Sequence, residues 1–365
     1  PRRGPPRAAR DTATRGEPVT ESAGAQPLGR PGPNASPTLE QVARAAGVSR
    51  ATASRAINGL PYVSEKAREQ VAHAVEVLGY RANQVARSLA TRRTGSIALV
   101  MSEPGNFVLS DPFFARVLRG IYSGLSGSQL QLVLLMTNEQ DEDGFARYLC
   151  GGHVDGALVV SLHGEDPLPS LLVEAGLPVV LGGRPLVRVD APYVDVDNFN
   201  GACLAARHLI DTGRTRVATI AGPADMAVGM DRLSGWRRGM AGTGFPTDAV
   251  AHGDFTVEGG AAAMRRLLES HPDLDAVFAA SDLMAVGALQ TLQAAGRRIP
   301  EDVAVVGFDN LDIAATASPP LTTVRQPIEE FGRTMTWRLL AQLSGEAGLP
   351  PSILLQTELV RRESA

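Results

Sequence analysis

Two groups of side chains in this sequence carry the means for recognition. The first is the run Ser49, Arg50, Ala51, Thr52, Ala53, Ser54, Arg55. An arginine fork can take guanine O6 and N7 together in a major groove, and an alanine methyl suits a thymine methyl. Ser49, Thr52 and Ser54 are short hydroxyls suited to phosphate oxygens or to capping a helix. Taken alone, the same residues would also serve as a solvated helix surface. The second group is scattered: Glu103, Asp111, Phe113, Phe114, Asn138, Ser161, His163, Arg184, Arg232, Phe255, Ser281, Asp282 and Asp309. Carboxylates and guanidinium groups match vicinal hydroxyls, and phenylalanine rings offer flat apolar faces to sugar rings. A purine or an amino acid would fit that mixture too. Phe113 and Phe114 suit a core equally well, and Asp282 suits the start of a helix.

The elements that must hold these residues follow from periodicity. Thr38 can cap a helix that turns Leu39, Val42, Ala43 and Ala46 to one side, and Gly47 supplies a turn. A second helix, Arg50 to Ile57, directs Ala53 and Ile57 inward and Arg50, Ala51, Thr52 and Arg55 outward. Ser64 caps a third, with Val71, Val75 and Leu78 inward, ending near Gly79. Three short helices with glycine in the first turn describe a helix-turn-helix unit. Beyond a basic bridge, apolar runs alternate with amphipathic stretches. Ile97–Met101, Leu132–Met136, Gly156–Val160 and Pro178–Leu181 read as buried parallel strands. The alternation resumes with Arg216–Ile220, Ala249–His252, Ala276–Ala280 and Val303–Val306. Two such series predict an α/β fold with two doubly wound parallel-sheet lobes. In open sheets of this kind ligands sit beyond the carboxyl ends of the strands, where the second group of residues falls.

Charge separates the same regions. Residues 1–37 carry six arginines against three acids, and residues 38–95 carry nine basic residues against four acids. The net charge of the whole is -4, so the remainder is acidic. A basic front on an acidic body implies that the front meets a polyanion. Residues 1–37 also hold eight prolines without apolar periodicity and are expected to be disordered. Cys150 and Cys203, far apart and without metal-ligand spacing, suit a reducing cytoplasm, and no metal or cofactor is expected. Neither a membrane-length apolar run nor a signal-peptide pattern is visible.

The stretch from Thr38 to Val100 resembles the lactose-repressor/galactose-repressor (LacI/GalR) family. The marks are A-G-V-S at Ala46–Ser49, S-R-x-x-N at Ser54–Asn58, V-S-x-x-x-R at Val63–Arg68, G-Y at Gly79–Tyr80 and N-x-x-A-R-S-L at Asn83–Leu89. The likeness continues through D-P-F-F at Asp111, D-R-L-S-G at Asp231, S-D-L-M-A-V-G at Ser281, G-F-D-N at Gly307 and P-P-L-T-T-V-R-Q at Pro319. It implies a sequence-specific repressor with no enzymatic activity, a homodimer on palindromic double-stranded operator DNA, released by a small sugar. It further implies DNA contacts from Ser49, Arg50, Ala51, Thr52, Arg55 and Asn58, and a hinge helix at Asn83–Thr91 in which Asn83 and Arg87 meet DNA and Leu89 is a minor-groove wedge. Asp111, Phe113, Phe114, Ser161, Arg184, Arg232, Phe255, Ser281 and Asp309 would line the effector site, with Arg232 and Asp309 holding the ligand. Ala53 and Ala82 depart from the commoner valine and proline, and Ser281 from a frequent asparagine.

The implied organisation is a helix-turn-helix head over 38–82, a hinge over 83–95 and a periplasmic-binding-protein-like body over 96–362. Its first lobe is expected over 96–195 and 325–346, and its second over 196–321 and 351–362. DPFFARVLRG, GGHVDGALVVSLHGEDPLP and DRLSG are similar to actinobacterial regulators of cello-oligosaccharide use, so the effector expected is cellobiose-like, with another sugar or a non-sugar molecule as the alternative. An enzyme would need a motif such as G-x-S-x-G, H-E-x-x-H or G-x-G-x-x-G, none of which occurs. A transport binding protein would share the body but lack the DNA-reading head.

Overall fold

A computed structural model of the chain describes residues 37–81, 93–136 and 142–365. The chain divides into two compact units at Asn83/Gln84. In the first unit, α1 (Leu39–Ala45) begins with a reciprocal cap: Thr38 Oγ1 accepts from Gln41 N–H, and Gln41 Oε1 accepts from Thr38 N–H. Gly47 then takes φ +63°, the left-handed turn that lets α2 (Arg50–Ile57) set off in a new direction. Ser49 and Ser64 cap α2 and α3 (Glu65–Leu78), and Gly79 ends α3 at φ +61°. The core is small: Val42, Ala43, Ala46, Ala53, Val71 and Ala74. Leu39, Ile57, Val75 and Leu78, expected inside, rim this core half-buried. Three short helices have too little interior to cover more.

The second unit holds two six-stranded sheets. The first comprises β1 (Ser96–Met101), β2 (Gln131–Met136), β3 (Gly156–Val160), β4 (Val179–Gly182), β5 (Tyr193–Val196) and β11 (Ser352–Leu355), in the order β11-β5-β4-β3-β1-β2. The second comprises β6 (Val217–Ala221), β7 (Val250–His252), β8 (Ala276–Ala279), β9 (Ala304–Asp309), β10 (Thr322–Arg325) and β12 (Glu358–Val360), in the order β12-β10-β9-β8-β6-β7. The central strands are buried along nearly their whole length because helices cover both faces.

The chain crosses between the lobes at Asp197, at Gln326–Pro327 and at Gln356–Thr357. These crossings correct the expected boundaries. Thr322–Arg325 pairs with β9 and so belongs wholly to the second lobe. The segment 351–362, expected in the second lobe, divides: Ser352–Leu355 pairs with β5 in the first sheet, and only Glu358–Val360 joins the second. β12 is antiparallel to β10 because it starts at a crossover, where the parallel strands end.

In each lobe two long helices cross on glycines. A Cβ on Gly120 in Pro112–Gly124 would meet the backbone carbonyl of Glu329, and one on Gly332 in Ile328–Ser344 would meet that of Val117. Gly235 and Gly239 of Ala227–Met240 play the same part against Phe199 and Cys203 of Asn198–Asp211. Backbone cannot give way as a side chain can, so Gly120→Ala should destabilise the first lobe by about 1–3 kcal/mol. Urea unfolding of the variant checks this; an unchanged midpoint would mean that the helices can separate freely.

Candidate functional site

The recognition surface of the first unit is built by α2. Ala53 is fully buried, and with its face fixed, Arg50, Ala51 and Arg55 project to solvent. Ser49 Oγ accepts from Thr52 N–H at 3.1 Å and pairs with the Thr52 hydroxyl at 2.8 Å, so both hydroxyls first serve the helix start. Arg50 lies 3.6 Å from Glu40, an exposed pair that water and salt weaken. Asn58 donates to the Ser54 carbonyl at 2.8 Å and closes the end of the helix. Asn83, Arg87 and Leu89 lie outside the described residues, as does Asn138 of the body.

The second unit has a cleft between its lobes that encloses about 930 Å³, counted to its open mouth. All nine residues that the family resemblance implies for an effector site line it: Asp111, Phe113, Phe114, Ser161, Arg184, Arg232, Phe255, Ser281 and Asp309. They arrive there from strand ends and helix starts. Ser161 follows β3, Phe255 follows β7, and Asp309 ends β9. These three hold positive φ values of 63°, 65° and 114°, in a region that side chains other than glycine seldom occupy. Such strain is kept only where the surrounding structure over-determines it, as it does at a site.

The floor of the cleft is a buried network. Arg232, 4% exposed, donates from Nε to Asn198 Oδ1 at 2.9 Å and from Nη1 to the Ala280 carbonyl, with Asp309 Oδ1 3.3 Å away. Its guanidinium lies over the Phe308 ring, 3.7 Å from the centroid. Gln326 Nε2 donates to the same Asp309 oxygen at 2.6 Å. Asn198 Nδ2 in turn donates to Asp195 Oδ1 at 3.1 Å, and Asp195 Oδ2 accepts from Arg184 N–H at 2.9 Å. Burial raises the pKa of Asp309 and lowers that of Arg232, while each one's charge opposes the shift of the other.

The remaining predicted residues divide by role. Phe114 is core as well as lining, while Phe113 is half-buried and packs edge-on against it at 5.4 Å. Ser281 caps the helix Asp282–Ala294 and lines the cleft. Asp282 is fully buried away from the cleft; Thr323 Oγ1 and Leu311 N–H donate to its carboxylate, which fixes β10 and the end of β9. Several contacts join the lobes. Arg184 Nη2 donates to both oxygens of Asp231, at 2.9 and 3.0 Å. His163 bridges Glu103 and Asp225 at 2.8 Å on each side, and Arg116 pairs with Asp312 and donates to the Asn310 carbonyl. His163 therefore works as a bridge between the lobes, with its pKa raised to about 9 chiefly by the Glu103 hydrogen bond.

Residues 38–83 match the bacterial regulatory proteins, lacI family, and residues 206–365 match the periplasmic binding protein-like domain. The HTH-type transcriptional regulator CelR of Thermobifida fusca is 49% identical over 333 residues, covering 90% of this chain and 98% of its own. The chain belongs to the LacI family. Among solved structures, a complex of the transcriptional regulator CelR with cellobiose is 48% identical with a TM-score of 0.73, covering 90% of this chain and 100% of that one. A lac repressor dimer bound to operator and an anti-inducer is 26% identical with a TM-score of 0.78, covering 90% of this chain and 98% of that one. Head and body together are thus those of a LacI-family transcription regulator and not of an enzyme.

Asp195, Asn198 and Gln326 are site residues that sequence reading missed. Gln326 closes the P-P-L-T-T-V-R-Q run, so the motif carried the signal, whereas Asp195 and Asn198 sit at a crossover that no local pattern announces.

Asp111 offers a titration test. Its Oδ1 accepts from Phe113 N–H at 2.8 Å, capping the helix Pro112–Gly124. Burial nevertheless pushes its pKa up to about 6, with nearby Glu103 adding to the rise. A carboxyl raised in the folded state contributes stability that is present below its unfolded pKa and lost as pH rises through its folded value, here about 6. Asp111→Asn keeps the cap and removes the titration. Its Tm should match wild type near pH 4 and exceed it near pH 8, both approximate endpoints of a melting series. Parallel curves over that range would mean that Asp111 does not titrate near 6.

Proposed function

We propose that this chain represses sugar-utilisation genes by binding a palindromic operator as a homodimer, and that a short β-linked glucose oligosaccharide, cellobiose foremost, releases it. The observation that carries this reading is the interlobe cleft, in which carboxylate and guanidinium groups stand beside aromatic faces. The CelR–cellobiose complex, 48% identical over its full length, supports the ligand class. Such a regulator works beside the chromosome in the cytoplasm, and no helix among the described residues is long and apolar enough to cross a membrane.

Each residue has a proposed part. Arg232 and Asp309 donate to and accept from sugar hydroxyls at the floor, and Asp111 accepts at the first-lobe wall. Phe255, with Phe113 opposite, supplies the ring faces. Arg184 and Ser161 hold the first-lobe side, and Ser281 the second. In the head, Arg50, Ala51 and Arg55 read bases, while Ser49, Thr52 and Asn58 orient the helix on phosphates. Dimer formation is supported by apolar side chains left open on β2 and on the two helices before it, Gly105–Ser110 and Pro112–Gly124: Leu109, Tyr122, Leu134 and Met136 are 79%, 76%, 45% and 40% exposed. Linkage then requires that sugar favour a lobe arrangement unlike the operator-bound one, and that operator weaken sugar binding by the same factor.

Fluorescence anisotropy on a selected operator, titrated with a panel of mono- and oligosaccharides, tests the reading. Cellobiose should release DNA; if another ligand does so instead, the effector is reassigned and the repressor stands. Phe255→Ala leaves the polar floor in place and should raise the cellobiose needed for half release by about ten-fold, roughly 1.4 kcal/mol, with operator affinity in its absence unchanged. Arg55→Ala should weaken operator binding by about 1–3 kcal/mol per half-site and relax one base position. Unaltered site preference in a binding selection would remove Arg55 from the reading surface.

A further inference from the structure

The first lobe carries a second concavity at the β5/β11 edge of its sheet, enclosing about 910 Å³ counted to its mouth. Its walls are the loop between β4 and β5, the segment leading into β11, and the middle of the helix Ile328–Ser344. Arg188 and Arg338 line it together with Arg184 and Tyr193, and Asp190 is the acid among the lining residues.

Arg338 is the unusual member. It is 92% buried by accessible surface, being 8% exposed, and its Nε has no solvent contact and no hydrogen-bond partner. It makes no ion pair among the described residues; Glu346 is the acid whose field reaches it, without pairing. Burial accordingly lowers its pKa. Arginine remains charged at any physiological pH, so a cation sits at the wall of a pocket with its donors unspent. The buried Nε is a donor that nothing in the chain satisfies, and a group entering the pocket could take it up. Arg184 is already held by Asp231, so Arg338 and the exposed Arg188 supply the free positive charge.

We propose that this pocket binds a small phosphate-class oxyanion, free or as a sugar phosphate, held by Arg338 from the helix side and Arg188 from the loop side. The guanidinium fork matches tetrahedral oxyanions, and neither Arg338 nor Arg188 lines the interlobe cleft; Arg184 is the wall residue that the two concavities share. The pocket provides a second small-molecule input on the first lobe, beyond the sugar reading above.

Isothermal titration of the full chain with inorganic phosphate, at an ionic strength held constant with chloride, tests this directly. Wild type should bind one phosphate saturably with a Kd at or below about 1 mM. R188Q should weaken it at least about ten-fold, and R338M should abolish it, while the cellobiose titration of both variants stays as in wild type. Thermal melts add a readout that does not depend on heats. Phosphate should raise the Tm of wild type but not of R338M, and R338M without phosphate should melt no lower than wild type, because a buried unsatisfied donor has gone. If R338M fails to fold, R188Q carries the test, since Arg188 is exposed. A parallel titration with a hexose monophosphate and its unphosphorylated hexose separates the sources: tighter binding of the ester identifies a sugar phosphate, equal binding identifies the free ion. No saturable binding by wild type, displacement by chloride alone, or binding untouched in both variants overturns the proposal.

Discussion

Arg232 is buried beneath the interlobe cleft, and nearly everything around it is arranged to tolerate its charge. Its partners come from each part of the chain that meets there: Asn198 from the start of one helix, the Ala280 carbonyl from the end of β8, and Asp309 from the end of β9. Phe308 supplies a ring face beneath it. A guanidinium in this setting is stable only while all of those partners stay in place, because removing one leaves a charge or an acceptor stranded. Asp309 itself holds a positive φ of 114° and accepts from Gln326 at 2.6 Å, so it is fixed from both sides.

The same network ties the floor to the crossovers. Asp195 and Asn198 flank the first, and Gln326 is in the second. A ligand that exchanges hydrogen bonds with Arg232 or Asp309 therefore perturbs the segments about which two lobes can turn. Coupling of this kind needs no wire through the protein. It needs only that the ligand's contacts differ between two lobe arrangements, since differential affinity is all that can shift an equilibrium.

The legible part of this architecture was the part written in local pattern. Eight central and edge strands announced themselves as apolar runs, and the strand-end rule together with the D-R-L-S-G motif for Arg232 named nine residues that line one cleft. β5, β10, β11 and β12 did not announce themselves. They are three or four residues long, β5 and β10 carry polar side chains such as Asp195, Thr322 and Thr323, and β11 follows Pro350 and Pro351. Which sheet such a strand joins depends on the path of the whole chain, so 351–362 was assigned to one lobe although it serves both. Asp282 does open a helix, as its place after Ser281 suggested, but its carboxylate is spent on Thr323 and Leu311, contacts remote in sequence that no local pattern announces.

The bridges between the lobes set how much of the switching any ligand must supply. Arg184–Asp231, His163–Asp225 and Arg116–Asp312 are all partly open to water, with Asp225 56% and Asp312 96% exposed. Pairs of that kind contribute roughly 0.2–1 kcal/mol each. Three together therefore bias lobe position by no more than about 3 kcal/mol. Moving a two-state equilibrium from 1:99 to 99:1 takes about 5.5 kcal/mol of differential binding. The raised pKa of His163, about 9, keeps its bridge charged through neutral pH, and that contribution is lost only as pH climbs through the folded value. The bridges consequently tune the balance without deciding it. On the proposed reading, the larger share of the switching energy would come from the buried floor, where water is excluded and a hydrogen bond exchanged with Arg232 or Asp309 would count for more than any pair at the rim.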